Sequence, residues 1–398
     1  MKKAIMALDG GGSNLRIAIV DSTTEKVLFY KGIDTGTNLT TVPNREEALT
    51  NIKNLVKEGY DSIPEEYEIE AIGLSSAGTE IKENVDDLNR SLNEALQDLD
   101  EARDNFIRPQ MYITNDVDIL LHSSDIALVA GTGAVAAVKY NDKVTGEEVI
   151  DKFDGDGQVV GDSGSGYWIA REVLKRVGQI EKTGFYLNHK NKITRAPGKS
   201  ILREMVLEKL LKEIGYSDDV IQKVKETSLK EQGLPDYISI VQDASRVDGK
   251  IYDRAKIAKM FGALADTAAR KGDPTANEIL EVASQELFIN IVAAYERAGF
   301  NHCKPCNILL SGSVLTKGET VRKKLEEKIK EHYPYGVKIK VNDEEPVFST
   351  VKYIKGKTVF GNRWKITKKM KRVSGKIKNH ASIYVDVFYN IFLTVQIK

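Results

Sequence analysis

The chain has 398 residues, 41% of them apolar and 29% charged, which is enough for two or three globular domains with sizeable cores. The 58 basic residues balance the 58 acidic ones, so net charge excludes a general attraction to nucleic acid or to a membrane surface. No stretch approaches the roughly 20 apolar residues of a membrane span, and the apolar run 4–8 is too short for a secretory signal. We therefore expect a cytoplasmic protein with no membrane partner.

The first half of the chain begins with three short apolar runs separated by turns, a pattern that predicts a β-meander. A helix with Asn44 as its N-cap, a strand, a charged helix and a further strand follow. The predicted elements are the strands 3–8, 15–20 and 27–31, the helix 45–58, the strand 70–74, the helix 82–104 and the strand 110–114.

The same order then begins again. Residues 200–300, which include a long segment from 274 to 299, have helical periodicity and predict an insertion. The repeat predicts an α/β fold of two similar halves, the second with extra helices. The predicted elements are the strands 125–130, 134–140 and 147–153, a helix from 166 to about 177, the insertion, the strand 306–310, the helix 318–331 and the strand 337–341.

A glycine-rich turn lies between the first two strands of each half, at 10–14 and at 131–133. Glycine permits a positive φ and leaves backbone N–H groups uncovered, and such groups form a concave site for phosphate. The first glycines of the two turns, Gly10 and Gly131, are 121 positions apart. The pair predicts a duplicated fold that holds one polyphosphate from two sides.

Three aspartates lie at turns beside these strands: Asp9, Asp116 and Asp162. In alternating α/β sheets, ligands bind at the carboxyl ends of the strands. A phosphotransferase needs backbone donors for the phosphates, a carboxylate near Mg²⁺ and a carboxylate that accepts the proton of the acceptor hydroxyl. The position of Asp9 suits the metal and that of Asp116 suits the base. Each aspartate alone could instead form an Asx turn or cap a helix.

Five motifs occur in one order along the chain: 9–14, Thr37-Asn38, Asn115-Asp116, Gly131-Thr132-Gly133 and 161–169. In this order they resemble the BadF/BadG/BcrA/BcrD ATPase family and, within it, the N-acetylglucosamine kinase branch. The resemblance covers about residues 3–353. It implies two duplicated actin-like (ribonuclease H-like) domains, 1–118 and 119–355, around a central cleft, with the helical insertion at about 180–300.

The resemblance also implies roles for the matching positions. Asp9 matches the metal-side aspartate, and Asp116 matches the base that activates the sugar hydroxyl. ATP and Mg²⁺ are the implied cofactors, and an amino sugar is the implied acceptor, with N-acetylglucosamine favoured and glucosamine or N-acetylmuramic acid left open. A homodimer is expected. The remaining matches are the phosphate-binding Gly10, Gly11, Gly12, Ser13, Asn14, Gly131, Thr132 and Gly133, the adenosine-binding Gly312 and Ser313, and the sugar-binding Asn38, Asp116 and Asp162.

The chain departs from the family pattern at several positions. Ser163 stands where the family usually has Glu, which predicts a shifted sugar preference or weaker binding. Gly155-Asp156-Gly157 replaces a Gly-Trp-Gly, and Ala134-Val135 replaces small polar residues. Between 352 and 378 there are eleven Lys or Arg residues and no acid, so we expect the basic extension 356–398 to be solvated.

Two other functions fit parts of the sequence. Electron-transfer ATPases of the same superfamily hold an iron–sulfur cluster on thiolates near the second phosphate loop, but no cysteine lies near 131–133. Cys303 and Cys306 are expected to be reduced thiols at the start of a strand. A nucleotide-gated regulator could use the basic extension on nucleic acid, yet no helix-turn-helix is evident, so a nucleic-acid partner is not expected.

Overall fold

In the computed structural model, the described residues are 1–358, apart from seven single positions or short gaps. The omitted positions are Ser13, Asn105, Gln158, 198–199, 248–249, 252–253 and 302–304. Cys303 and all of the basic extension beyond 358 therefore lie outside the described residues.

The first half forms a five-stranded sheet with two helices. The elements are β1 Lys2–Gly10, β2 Leu15–Asp21, β3 Val27–Ile33, α1 Arg45–Ser62, β4 Tyr67–Ser76, α2 Lys82–Ala102 and β5 Gln110–Thr114. The strand order is β3-β2-β1-β4-β5, in which β2 is antiparallel to both neighbours and β1, β4 and β5 are parallel. Asn44 caps α1 as predicted, because its side chain accepts a 3.2 Å hydrogen bond from the Glu47 amide.

The second half repeats this arrangement and adds elements to it. Its regular elements begin after a 3₁₀ turn at Leu120–His122, and a π-helical turn, Ala258–Gly262, joins α7 to α8. The elements are β6 Ile126–Ala130, β7 Ala134–Asn141, β8 Glu148–Asp154, α3 Gly166–Thr183, β9 Phe185–Leu187, β10 Ile193–Arg195, α4 Ile201–Glu213, α5 Asp218–Glu226, α6 Tyr237–Ala244, β11 Arg246–Val247, β12 Lys250–Ile251, α7 Arg254–Ile257, α8 Ala263–Arg270, α9 Pro274–Ala298, β13 Cys306–Ser311, α10 Ser313–Thr316, α11 Glu319–His332 and β14 Val337–Val341.

The second sheet has the order β8-β7-β6-β13-β14, which is the order of the first sheet strand for strand. The antiparallel pairs are again the hairpin pairs, and β6, β13 and β14 are parallel. Helix α9 packs on β7 and α11, as α1 packs on β2 and α2, so α9 is the counterpart of α1. The insertion therefore lies between β8 and α9, whereas the sequence interpretation included α9 and left out the start of α3.

A last helix, α12 at 346–358, packs against the first sheet. The central strand β1 is buried on both faces: alternate side chains such as Met6 pack towards α1 and α2, and Ile5 and Ala7 pack towards Val351 and Ile354 of α12. A two-sided apolar sheet needs a cover on each face. Most of α12 falls within the segment 119–355, which the sequence predicts as the C-terminal domain, yet this helix packs on the first sheet. Within the described residues, no helix is long and apolar enough to cross a membrane.

We expect Ile354→Ala to lower the free energy of unfolding of the first half by about 2–4 kcal/mol, because the substitution leaves a cavity between α12 and the sheet. Ile354 is fully buried, whereas Ile238 is 46% exposed and supplies the matched control Ile238→Ala. Urea denaturation of the two variants measures the difference. Equal midpoints would contradict the docking of α12.

Candidate active site at the strand ends

The carboxyl ends of β1, β4 and β5 bring polar residues to one edge of the first sheet. Asp9 pairs in register with Ser75, and Ser75 pairs in register with Thr114. Asp116 follows two residues after Thr114. Two aspartates that are far apart in sequence therefore share one sheet edge, which is the geometry expected from parallel strands.

The first glycine turn joins β1 to β2 and is held by the segment after β3. The Thr37 amide donates to the Gly11 carbonyl at 2.9 Å, and the Thr37 and Ser76 hydroxyls share a 2.8 Å hydrogen bond. A Cβ added at Gly10 would lie 1.8 Å from Thr37 Oγ1, whereas one added at Gly11 or Gly12 would meet no atom within 4 Å. Gly10 is therefore required by packing, and the other two glycines border open space.

The φ angles correct part of the sequence interpretation. Gly10, Gly11, Gly12, Gly131 and Gly133 are all outside the left-handed region, so the turns do not need glycine for a positive φ. Close approach and an uncovered backbone are the reasons that remain. Ser13 lies outside the described residues.

Asn38 lies between this turn and the segment after β4. Its amide donates to the Gly11 carbonyl at 3.4 Å, and its side-chain oxygen accepts from the Thr40 amide at 3.1 Å. A Cβ on Gly78, whose φ is +80°, would lie 2.6 Å from Asn38 Oδ1. The structure thus brings Asn38 to the same sheet edge as the first glycine turn. Its role in binding a sugar stays a prediction.

A polar network joins the Asn115-Asp116 turn to the second half. Asn115 donates to Glu80 Oε1 at 2.8 Å, and Lys152 of β8 forms an ion pair with the same oxygen at 2.6 Å. Asn115 also accepts a 3.0 Å hydrogen bond from the Val117 amide, which fixes the backbone beyond Asp116. Burial opposes ionisation of Glu80, but the hydrogen bonds from Lys152 and Asn115 outweigh it and lower the pKa of Glu80.

Asp9 and Asp116 both ionise less readily than ordinary aspartates. Burial raises the pKa of Asp9 to about 6, against the hydrogen bond from Ser75 and the charge of Arg16, whose guanidinium lies 3.9 Å away. Burial, together with the charge of the Asp9 carboxylate, raises the pKa of Asp116 to about 7. Within the described part of the chain, no side chain donates a hydrogen bond to Asp116. The residue as a whole is half-buried.

The second glycine turn joins β6 to β7 and rests on the first turn of α3. The Gly166 amide donates to the Gly131 carbonyl at 2.8 Å, and the Tyr167 amide donates to the Thr132 carbonyl at 3.3 Å. The carbonyls of the turn therefore face the helix. A Cβ on Gly131 would meet no atom within 4 Å, so this turn, like the first, borders open space.

Asp162 supports this turn from inside the protein. Its Oδ1 accepts a 2.9 Å hydrogen bond from the Ala134 amide, and its Oδ2 forms an ion pair with Arg254. The alternative that Asp162 merely caps α3 is wrong, because the Ser165 side chain is the cap and accepts from the Trp168 amide at 3.2 Å. A sugar would have to share the Asp162 carboxylate with these partners, and its binding there stays a prediction.

Gly312 lies over the last residue of β6. Its φ is +86°, and a Cβ there would lie 2.4 Å from the Ala130 carbonyl oxygen. Only glycine fits both constraints without strain. Gly312 and Ser313, at the start of α10, therefore adjoin the second glycine turn, and their contact with adenosine stays a prediction.

Sequence reasoning missed four residues that position the others. Ser75 donates to Asp9 at 3.0 Å and shares a 2.8 Å hydrogen bond with Thr350 of α12. Asp154, whose φ is +64°, accepts hydrogen bonds from the backbone amides of Asp162 and Ser163. The polar residues that end apolar β4 were a signal for Ser75. Arg254 gave none, because its partner is 92 positions away.

Two sheets of identical strand order, each with a glycine turn after its first strand, define the two-domain actin-like ATPase fold. The model of the BadF/BadG/BcrA/BcrD ATPase family matches residues 8–347, and the chain belongs to this family. The sequence prediction of both family and fold is confirmed.

Solved structures resemble the chain at low identity. A provisionally assigned N-acetylglucosamine kinase from Chromobacterium violaceum shares 16% identity at a TM-score of 0.53, over 88% of this chain and 98% of that one. A ROK family glucokinase from Streptomyces griseus, with glucose and AMPPNP, shares 14% identity at a TM-score of 0.47, over 88% and 97%. Among curated proteins, no sequence gives a significant match.

We expect Gly10→Ala and Gly11→Ala to differ in stability although they alter neighbouring residues of one turn. The new Cβ at position 10 would overlap Thr37, and overpacking of this kind typically costs about 1–3 kcal/mol. The Cβ at position 11 faces open space, so Gly11→Ala should unfold close to the wild-type temperature. Thermal denaturation of both proteins tests this, and a larger loss for Gly11→Ala would refute the described packing.

Proposed function

We propose that this protein is an ATP-dependent, Mg²⁺-requiring kinase that phosphorylates an amino sugar. The observation that carries the proposal is the pair Asp9 and Asp116 at one sheet edge, with Asp116 half-buried and its pKa raised to about 7. A carboxyl group of this pKa can accept a proton near neutral pH. Membership of an ATPase family supports ATP as the nucleotide.

The two glycine turns are the proposed phosphate sites. Gly11 and Gly131 each border open space, so phosphate oxygens could approach the backbone there without displacing a side chain. The first turn would supply Gly10 to Asn14, and the second would supply Gly131 to Gly133. Gly312 and Ser313, next to the second turn, would contact the adenosine.

The residues around Asp9 fit a magnesium ion. Mg²⁺ is usually held by one or two carboxylates together with phosphate oxygens and waters. Asp9 supplies one carboxylate beside the first phosphate turn, and its raised pKa reports a site in which negative charge lacks full compensation. A bound Mg²⁺ would offset the charge of the transferred phosphoryl group.

Asp116 is the proposed general base. It would accept the proton of the sugar hydroxyl as the hydroxyl oxygen bonds to the γ-phosphorus and the bond to ADP breaks. The network of Asn115, Glu80 and Lys152 would fix the direction of the Asp116 backbone. Closure of the two halves would exclude water, which otherwise competes with the sugar as acceptor.

N-acetylglucosamine is the proposed sugar. The similarity to a provisionally assigned N-acetylglucosamine kinase supports that sugar, with glucosamine and N-acetylmuramic acid as alternatives. Asn38 and Asp162 are the proposed sugar contacts, and a homodimer remains the expected assembly. A screen of hexoses and hexosamines for sugar-dependent ADP release, followed by NMR of the product, would identify the sugar and the phosphorylated hydroxyl.

An electron-transfer ATPase is the weaker candidate. Such a protein needs thiolates near the second phosphate loop. Cys306 is the first residue of β13 and is buried at the amino end of that strand, whereas the glycine turn follows the carboxyl end of its parallel neighbour β6. This thiol is therefore at the opposite edge of the sheet from the turn.

We expect Asp116→Asn to abolish most sugar phosphorylation while it leaves nucleotide affinity within a few-fold of wild type. An amide cannot accept the proton, and loss of a general base typically costs about 10²- to 10⁴-fold in rate. The control is Asp118→Asn, since Asp118 lies two residues away and pairs with Lys152 instead. Turnover of Asp116→Asn equal to that of the control would exclude Asp116 as the base.

The pH dependence of kcat/KM for the sugar should have an acidic limb set by Asp116. Because the carboxyl must be ionised to accept a proton and its pKa is about 7, kcat/KM should fall roughly tenfold per pH unit below that value. A profile that is flat from pH 5 to 8 would contradict the assignment. The measurement needs only steady-state rates in buffers of constant ionic strength.

The raised pKa of Asp116 also predicts that ionisation of this carboxyl group lowers the stability of the folded protein. The folded-state pKa of Asp116 lies above the unfolded value of about 4, so ionisation disfavours the folded state increasingly from about pH 4 to 7. Asp116→Asn removes that unfavourable contribution. At pH 8 this variant should therefore melt at or above the wild-type temperature, and a clearly lower melting temperature would show that Asp116 stabilises the fold.

A further inference from the structure

The second glycine turn is held on one side by an ion pair from the helical insertion, in which the carboxylate is buried and the guanidinium is partly exposed. Asp162 is 5% exposed, and a Cβ on Gly133 would lie 2.6 Å from its Oδ1. The same oxygen accepts the Ala134 amide, so the carboxylate lies against the turn itself. Arg254 of α7 pairs with the other oxygen.

Arg254 makes a second contact with the support of this turn. Its guanidinium lies over the Tyr167 ring at 5.3 Å from the centroid, and the Tyr167 amide donates to the Thr132 carbonyl. The π-helical turn that follows α7 packs on the same helix end, where a Cβ on Gly262 would lie 2.9 Å from the Gly166 carbonyl oxygen. One segment of the insertion thus contacts both residues that anchor the glycine turn to α3.

We propose that Arg254 is a positioning residue for the second phosphate turn and acts through Asp162. The inference rests on the proposed function for its nucleotide readout. Asp162 holds the Ala134 amide, but an uncompensated carboxylate beside a phosphate site would repel the anion that the site must bind. Arg254 neutralises that charge and keeps the carboxylate in place.

The effect of the Asp162 charge can be separated from the effect of its hydrogen bond to the turn. Without Arg254, the buried Asp162 carboxylate has lost its compensating charge, and such a group either moves towards water or repels nearby anions. Replacement of Asp162 by Asn in the same protein removes the repulsion, while the amide oxygen can still accept from the Ala134 amide. A purely structural ion pair would gain nothing from this second substitution.

Calorimetric titration of AMPPNP, ADP and AMP, without sugar, into four variants tests the proposal. Arg254→Ala should lower the affinity for AMPPNP by roughly tenfold to a hundredfold, the range for loss of a charged contact. It should lower the affinity for AMP least. Arg254→Lys keeps the charge and should lose less. The double variant Arg254→Ala with Asp162→Asn should recover much of the loss.

The matched control is Arg203→Ala. Arg203 forms an ion pair with Glu181, also within the second half, and the two pairs are similarly shielded, with side chains 14% and 10% exposed against 21% and 8% for Arg254 and Asp162. This variant should lose stability but keep AMPPNP affinity. Equal AMPPNP affinities for Arg254→Ala and Arg203→Ala, or no recovery in the double variant, would overturn the proposal.

Hydrogen exchange of the free protein gives a readout that needs no nucleotide. The amides of 131–134 should exchange faster in Arg254→Ala than in Arg203→Ala, and equal rates would overturn the proposal even if no nucleotide bound. Failure of the wild type to bind AMPPNP would instead refute the proposed function. Should Arg254→Ala not fold, Arg254→Lys against the wild type carries the same comparisons.

Discussion

Two carboxyl groups confined to one sheet edge are the constraint on which the rest of this structure depends. Asp9 and Asp116 are held there by the register of parallel strands, where burial disfavours the charge of both and the Asp9 carboxylate further disfavours that of Asp116. For Asp9 the protein offsets this cost only in part, through the hydrogen bond from Ser75 and the Arg16 guanidinium at 3.9 Å. A site that lacks full compensation in the free protein is one that gains from a bound cation.

The two glycine turns occupy equivalent places in the duplicated fold, yet different interactions hold them. Hydroxyl groups of Thr37 and Ser76 support the first turn, and the ion pair of Asp162 and Arg254 supports the second. The backbone frame is shared because the strand order is shared. The supports differ because the connection that follows β3 is short, whereas the corresponding connection after β8 contains the insertion and supplies both Asp162 and Arg254.

The sequence predicted the features that short-range patterns encode. Alternating apolar runs, glycine turns and caps such as Asn44 depend on neighbours within a few residues, so both meanders and most helices could be located. The docking of α12 could not, because nothing local in 346–358 identifies which sheet it covers. The pairing of Asp162 with Arg254 is equally non-local. The left-handed φ of Asp154 and Asp162 was also missed, since non-glycine residues rarely adopt it and give no compositional sign.

The position of α12 has a consequence for how the protein is made. One face of the first sheet, which includes Ile5, Ala18 and Ala71, is covered by residues that are synthesised last among those described. During translation this apolar face therefore stays exposed to solvent after the first sheet is complete, while more than two hundred further residues are added. That is about the length of the second half. Thr350 of the same helix completes the hydrogen bonds behind Ser75 and Asp9. The first half of the nascent chain therefore exposes apolar surface of the kind that promotes aggregation, and Asp9 reaches its final surroundings only when α12 has left the ribosome.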